Sequence, residues 1–257
     1  MRLDDQITLC VCTYNSSATL ERCLSSLRAV LPDARLIVVD HESSDGSVEL
    51  ALKYKAEVYT EHVGLGWARQ LCIDLVSTEY FAFVDSDVEL LDAGFFRRAI
   101  EALKDSNIGA VVGTSLGHRF AFGLPASLLV LRKRDFNGKI IPKWIDARET
   151  FYIQRRLDQL GLKTVYIRDA MIHRSQFRRY KPEWEGANTR LLHSNKLREL
   201  LFSLGVIILI SLNSRNIKNI AYIPIFYIKF LRGFAHPARW AKLVRRVGGA
   251  PHVQTNI

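Results

Sequence analysis

The sequence predicts an α/β fold: a mixed, mostly parallel sheet flanked by helices, followed by a C-terminal helical hairpin. Three observations carry this. Short apolar runs alternate with stretches of helical spacing from Ile7 to Ile167. Three of the runs stop abruptly at polar residues, at Asn15, Asp40 and Asp85. The last of them, Phe81-Ala82-Phe83-Val84-Asp85-Ser86-Asp87, ends in two carboxylates two residues apart, which a strand delivers to a sheet edge leaning the same way.

Ile7 to Cys12 reads as a buried strand, followed by the polar turn Thr13-Tyr14-Asn15-Ser16-Ser17. Ala18 to Val30 carries Leu20, Leu24 and Leu27 on one helical face. After the Pro32-Asp33 turn, Leu36 to Val39 is a second buried strand ending at Asp40. Ser47 to Tyr54 has helical character, and Glu57 to Tyr59 is a short strand. A helix over Gly64 to Val76 is entered through a glycine loop, and Tyr80 to Val84 is the strand before the acidic pair. In parallel sheets ligands bind beyond the carboxyl ends of the strands, so Asn15, Asp40 and Asp85 are expected to converge. Further on, Ile108 to Gly113, Ser127 to Leu131 and Thr164 to Ile167 read as strands, and Asp146 to Leu160 as a helix.

The chain has 257 residues, enough for one sizeable α/β domain and an appendage. Its net charge is +10, and from Arg119 onward Lys and Arg dominate, which suits a polyanionic partner such as anionic headgroups or a phosphorylated lipid. Cys10, Cys12, Cys23 and Cys72 form no Cys-x-x-Cys pair and read as buried free thiols of a reducing compartment. The start, Met1-Arg2-Leu3-Asp4-Asp5, lacks an apolar signal region, so the catalytic part is expected on the cytoplasmic side of the cell membrane.

After Pro182 the chain changes character. Leu197 to Leu212 and Ile220 to Phe230 are apolar runs separated by a polar stretch with Arg215 and Lys218. Each is shorter than the roughly 20 residues that span a bilayer. A buried hairpin and an interfacial or embedded one both fit. Tyr222, Tyr227, Trp240 and the basic tail through Arg245 and Arg246 favour a membrane interface. The expected division is a catalytic domain over 1–193 and a membrane-associated hairpin with its tail over 194–257.

Asp85 and Asp87 suit a hard divalent cation, which takes oxygen ligands and bridges a carboxylate to substrate phosphates. The ordered motifs around them carry a resemblance. Val11-Cys12-Thr13-Tyr14-Asn15 resembles the opening strand and turn of family 2 glycosyltransferases, which have the Rossmann-like GT-A fold. Val38 to Ser47 resembles that family's second strand and Asp-rich turn. Gly64-Leu65-Gly66-Trp67-Ala68-Arg69 is similar to its glycine loop, most of all that of dolichyl-phosphate mannose synthases. Asp85-Ser86-Asp87 matches its metal motif, and Ile172-His173 its strand-end His. Gln176-Phe177-Arg178-Arg179-Tyr180 resembles the Gln-x-x-Arg-Trp signature of cellulose and hyaluronan synthases, with Tyr for Trp.

The resemblance implies sugar transfer from a nucleoside diphosphate donor with inversion, aided by Mg²⁺ or Mn²⁺. It places the donor nucleotide against Thr13, Tyr14, Asn15, Asp40, Glu42, Gly66, Arg69 and Asp85, with Asp40 at the base and Tyr14 stacking on it. Glu42 stands where the family often has Gly or Asn, and a solvated turn acid is an equal reading. Arg69 could reach the donor or form a surface salt bridge. Asp87 is assigned to the metal, with His173 completing the metal or diphosphate site.

In the family a Glu-Asp pair ahead of Arg-Leu supplies the base for the acceptor hydroxyl. Counting back from Arg156-Leu157 puts Glu149 at the Glu and Thr150 at the Asp, a departure that leaves the catalytic base to Asp146 or Glu149. A polyprenyl phosphate acceptor, already anionic, would need cations rather than a base, with Arg132, Lys133 and Arg174 among the supply. Gln176, Arg179 and Tyr180 would share one helical face at the acceptor or diphosphate.

The expected partners are thus a nucleotide sugar (GDP-mannose favoured by the glycine loop), a polyprenyl-phosphate or lipid-linked saccharide acceptor, and membrane lipids, with no nucleic acid. The alternatives are a UDP-sugar-dependent glucosyl- or N-acetylhexosaminyltransferase, a polysaccharide synthase, and a non-catalytic nucleotide-sugar or lipid-binding protein, which Thr150 alone favours. A nucleotidyltransferase would open with a Gly-rich basic phosphate loop, which Thr13 to Ser17 is not.

Overall fold

A single helical turn, α1 (Leu3–Gln6), leads into β1 (Ile7–Thr13). In the computed structural model, which describes residues 2–118, 121, 123–143, 149–174, 182–192, 196–213 and 218–240, the chain then runs α2 (Ser17–Val30), β2 (Arg35–Asp40), α3 (Ser47–Lys53), β3 (Glu57–Thr60), α4 (Leu65–Leu75), β4 (Tyr80–Asp85) and β5 (Val88–Leu90). It continues through α5 (Phe95–Leu103), β6 (Ile108–Ser115), β7 (Leu128–Arg132), a 3₁₀ turn at Lys133–Phe136, α6 (Thr150–Gln159) and β8 (Lys163–His173). Five helices follow: α7 (Pro182–Leu192), α8 (Lys196–Asn213), α9 (Lys218–Ala221), α10 (Ile223–Ala235) and α11 (Pro237–Trp240).

The described residues fall into two compact units, one within Met1–Gly117 and Ala121–Gln176, the other within His118–Phe120 and Phe177–Ile257. Helix α7, which precedes the break expected at 193, thus belongs with the helices that follow it.

The first unit is built on an eight-stranded sheet in the order β3-β2-β1-β4-β7-β6-β8-β5. β1, β2, β3 and β4 are mutually parallel, as are β6 and β8, while β7 and β5 run antiparallel to their neighbours. The sheet is therefore mixed, with its parallel block where the sequence alternation is cleanest. Ile7, Leu9 and Val11 of β1 and Val38 of β2 pack in one core with Leu20, Cys23, Leu24 and Leu27, the i, i+3, i+4, i+7 stripe of α2. The register sets Thr13 opposite Asp40 and Cys12 opposite Asp85, so the acids that end β2 and β4 flank the end of β1 on both sides.

Among the elements without a counterpart in the sequence reading are β5 and α5. β5 has three residues, and α5 buries Phe95, Phe96, Ala99, Ile100 and Leu103 in the core. β5 pairs with the far end of β8, Val88 opposite His173, and Arg174 N–H donates to the Asp87 carbonyl at 2.7 Å. β8 runs to residue 173, well beyond the expected Thr164 to Ile167, because it pairs with β6 and then with β5. Between Ile167 and Met171, where its register against β6 shifts, β8 bulges. Asp169 takes a left-handed backbone (φ 53°), its N–H donates to Thr114 Oγ1, and its Oδ1 accepts from Gly117 N–H at 2.7 Å.

In the second unit α7 and α10 meet backbone to backbone. A Cβ on Gly186 would lie 2.0 Å from the Phe230 carbonyl oxygen, and one on Gly233 would lie 1.7 Å from that of Glu183, so only glycine permits this approach. Ile207, Phe230 and Phe234 form a small core with Leu200 and Tyr227, whose hydroxyl donates to the Leu200 carbonyl at 3.0 Å. Leu197, Leu201, Phe202, Ile225 and Ile228 remain exposed. No helix among the described residues is long and apolar enough to cross a membrane.

Candidate functional site at the carboxyl ends of the strands

The turns after β1 and β2 are tied together by short polar side chains. Asn15, in a left-handed conformation, donates its N–H to Ser43 Oγ (2.8 Å), and its Oδ1 accepts from Ser44 N–H (3.0 Å). Ser16 N–H donates to Ser47 Oγ, and Asp45 accepts from Ser17 N–H at 2.9 Å and from the Ser47 hydroxyl at 2.6 Å. The Ser47 hydroxyl foremost, with the other donors at Ser17 and Ser47, holds the Asp45 carboxyl down at about 2. Asp45 thereby satisfies amides that open both α2 and α3.

Asp40, expected at the nucleobase, is buried at the end of β2 and accepts from Ser43 N–H (2.8 Å) and Ser43 Oγ (2.5 Å). Tyr14 is 60% exposed, and its ring meets that of His41 edge-on at 5.3 Å. Thr13 is buried, and its Oγ1 has no hydrogen-bond partner among the described residues. Glu42 is exposed, with a left-handed backbone, and pairs with His62 at 3.1 Å.

Glu61, which the sequence reading passed over, is buried just past β3. One carboxylate oxygen accepts from Val63 N–H (2.6 Å) and Gly64 N–H (2.8 Å), and the other lies 2.6 Å from His41 Nδ1. With Nδ1–H donating to the carboxylate, a neutral His41 ring presents Nε2 as an acceptor. Its signal was available: Glu61 is an acid at a strand end, like Asp40 and Asp85. It also shapes the glycine loop, where Gly64 has φ 143° and Gly66 is buried in the first turn of α4.

Arg69, on the second turn of α4, is 4% exposed, so it is no surface salt bridge. Its Nη2 donates to Asp85 Oδ1 at 2.9 Å, its Nη1 lies 3.1 Å from Glu149 Oε1, and its Cζ sits 5.3 Å from the Phe83 ring centroid. The Nη1 approach is an ion pair rather than a hydrogen bond, since Nη1 lacks a hydrogen-bond partner among the described residues. Burial works to lower the Arg69 pKa, but the charges of Glu149 and then Asp85 outweigh it and hold the guanidinium above its ordinary value. Glu149 is itself buried in this ion pair.

Asp87 lies across the strand end from Arg69, with Oδ1 3.2 Å from His173 Nδ1. Both side chains are partly exposed. No group of three or more His, Cys, Asp or Glu that could hold a metal occurs among the described residues. A carboxylate and an imidazole in contact nevertheless suit a divalent ion that takes its remaining ligands from a diphosphate and water.

Asp146, Gln176, Arg179 and Tyr180 lie outside the described residues. Of the basic residues assigned to an anionic acceptor, Arg132 is buried and spent internally. It donates to Asp135 Oδ2 (2.8 Å) and to the Leu103 and Ile108 carbonyls, which tie α5 and β6 to β7. Lys133 donates to the Ile73 carbonyl, and Arg174 to Glu89 at 2.5 Å. Arg132 is thus committed to the structure, while Lys133 and Arg174 each hold a partner within the fold. All four cysteines are free; burial pushes the Cys23 thiol up, and the Cys12 thiol is raised by its bond with Cys72 and by burial.

Known proteins resemble this chain. Processive diacylglycerol beta-glycosyltransferase of Mycoplasma genitalium is 26% identical over 54% of this chain and 41% of its own length. Beta-1,4 N-acetylgalactosaminyltransferase 2 of Mus musculus is 29% identical over 48% of this chain and 24% of its own. The chain thus spans less than half the length of these curated relatives. Among solved structures, glucosyl-3-phosphoglycerate synthase from Mycobacterium tuberculosis, in complex with Mn²⁺, UDP and glucosyl-3-phosphoglycerate, aligns with a TM-score of 0.53 at 18% identity, over 67% of this chain and 73% of that one. That likeness is one of fold. Residues 8–180, which hold all eight strands and the strand-end acids, match the family described as Glycosyl transferase family 2, and the chain belongs to that family.

Proposed function

We propose that this chain is an inverting, divalent-metal-dependent glycosyltransferase that moves a hexose from a nucleoside diphosphate donor to a lipid-linked acceptor at the cytoplasmic face of the cell membrane. The observation that carries the reading is the Asp87–His173 contact beside Asp85, at the carboxyl ends of the strands. Asp87 and His173 would hold Mg²⁺ or Mn²⁺, which when bound stabilises the charge of the departing diphosphate.

In this reading Tyr14 stacks on the nucleobase and Asp40, braced by Ser43, faces its edge. Asp85, aimed by Arg69, takes the ribose. The acceptor oxygen attacks the anomeric carbon opposite the bond to the diphosphate. Asp146 takes the proton of a hydroxyl acceptor, and Gln176, Arg179 and Tyr180 hold the acceptor end. A polyprenyl phosphate acceptor has no such proton to lose.

Two features support a lipid. The name of the mycoplasma relative describes a diacylglycerol acceptor for that protein. The second unit exposes Leu197, Leu201, Phe202, Ile225 and Ile228 beside Arg198 and Lys229, the composition of an interfacial helix pair. GDP-mannose is the first donor to test, on the strength of Gly64-Leu65-Gly66. None of the relatives named above is described as a mannosyltransferase, so UDP-glucose and UDP-N-acetylhexosamines belong in the same panel.

The test offers each nucleotide sugar, with Mn²⁺, to the protein and a membrane lipid extract, followed by mass analysis of the lipids. A glycolipid whose formation stops on chelation is the expected result. Transfer undiminished by chelation would sink the metal assignment. Full transfer by Asp146→Asn would point to a phosphate acceptor. In parallel, Leu201→Ser/Ile228→Ser should release the protein from anionic vesicles, and unchanged pelleting would count against the interface.

A further inference from the structure

We infer that Glu149 is a positioning residue, acting through Arg69 on the donor-side carboxylate Asp85, rather than the base that deprotonates the acceptor. The inference rests on the donor-site reading above.

Arg69 is almost fully enclosed and stands between two carboxylates, Asp85 at the end of β4 and Glu149 at the threshold of α6. A buried guanidinium needs opposite charge at hand, and a single carboxylate leaves half its fork unmatched. Glu149 supplies the second charge. The Phe83 ring beneath the guanidinium closes off the remaining side, so the fork has little freedom to turn. The direction in which Arg69 presents Nη2 to Asp85 is therefore set by where Glu149 holds Nη1.

The same environment unfits Glu149 for proton removal. Its Oε1 is already engaged by the Arg69 guanidinium at 3.1 Å. It is also nearly inaccessible, at 5% exposure, whereas a base must reach the acceptor hydroxyl.

The neighbours of Arg69 on α4 show that the contact is part of a larger attachment. Gln70 Oε1 accepts from Ile140 N–H (2.9 Å) and Ile141 N–H (2.8 Å), and its Nε2 donates to the Gly138 carbonyl. Lys143 Nζ lies 5.1 Å from the Trp67 ring centroid. Helix α4 thus grips the connection between the 3₁₀ turn and α6 near its start through Gln70 and at its end through Arg69. Glu149 links that connection to Asp85.

The experiment measures binding of UDP and of GDP, each with Mn²⁺, by calorimetry for the parent, Glu149→Gln, Arg69→Met and the double variant. Thermal unfolding confirms that each is folded at the working temperature. A base makes no contribution to nucleotide affinity, so this readout separates the two roles. The expected result is a roughly tenfold loss of affinity in each single variant, with the double variant no weaker than the worse single one, because both act along one path. Transfer by Glu149→Gln should keep the acidic limb of its pH profile.

Unchanged nucleotide affinity in Glu149→Gln, additive losses in the double variant, or disappearance of the acidic limb would each overturn the inference. Should Glu149→Gln not fold, Arg69→Lys keeps the charge but not the fork, and the same loss is expected of it; parent-like affinity in that variant would overturn the inference. A parent protein that binds neither nucleotide removes the donor-site reading itself, and the inference with it.

Discussion

The two halves of the strand-end surface handle their acids differently. At the ends of β1, β2 and β3, the carboxylates of Asp40 and Asp45 accept from hydroxyls and backbone amides of the turns, and Glu61 holds two backbone amides with one oxygen and meets His41 with the other. At the ends of β4, β5 and β8, Asp85, Asp87 and Glu89 are instead matched with Arg69, His173 and Arg174. Amide and hydroxyl donors fix a turn in one shape. A side-chain cation or imidazole can exchange partners when charge arrives. In the proposed function the first half serves as scaffolding for a nucleoside, and the second as a place where charge can be redistributed around a diphosphate.

The contrast can be broken most forcefully at Arg69. Arg69→Met strips the cation from two buried or part-buried carboxylates, and unfolding by urea should show a loss of about 3–5 kcal/mol. A loss near zero would mean the pair is dispensable. Asp87→Ala should leave stability close to that of the parent while lowering transfer by roughly 10²–10³-fold, the scale of a lost charge-stabilising group. Parent-like kinetics would remove Asp87 from the site.

Glu61→Ala tests the scaffolding half. It orphans the Val63 and Gly64 amides and should cost about 1–3 kcal/mol in the urea midpoint, with a weaker nucleotide affinity following from the loosened glycine loop. The smallest effect is expected at Asp45, where Asp45→Asn should cost about 0.5–1 kcal/mol at neutral pH. Because the folded Asp45 carboxyl titrates at about 2 against an ordinary 3.8, its contribution is complete above the ordinary value and is lost as pH falls through the folded one. The gap in urea midpoint between parent and variant should therefore close between those two values; a gap independent of pH would assign the effect to the turn's shape rather than to charge.

Much of this was legible before any coordinates. The α2 stripe and the strand-end acids are local patterns, and local patterns survive into the fold. α5 went unread although Phe95, Phe96, Ala99, Ile100 and Leu103 recur at helical spacing. β5 was not legible: three residues carry no period, and it exists because β8 is there to pair with it. The Arg69–Glu149 contact was invisible for a different reason. Both residues were singled out, but what joins them is the grip of α4 on a distant connection, which no spacing encodes. The reassignment of Arg132 follows the same logic. Its position in a basic run suggested a phosphate ligand, while its place on the central strand β7 commits all of its donors inward.

The bulge at Asp169 has an evolutionary corollary. From that residue to His173 the chain behaves like a ruler, because side chains alternate with every step of a strand. Lengthening or shortening this stretch by one residue would turn the imidazole to the opposite face of the sheet and take Met171, a member of the core, with it. Insertions elsewhere on the surface could accumulate freely, but between Asp169 and His173 descendants of this protein should differ in composition and never in length. A homologue that violates the count would have its imidazole facing away from Asp87.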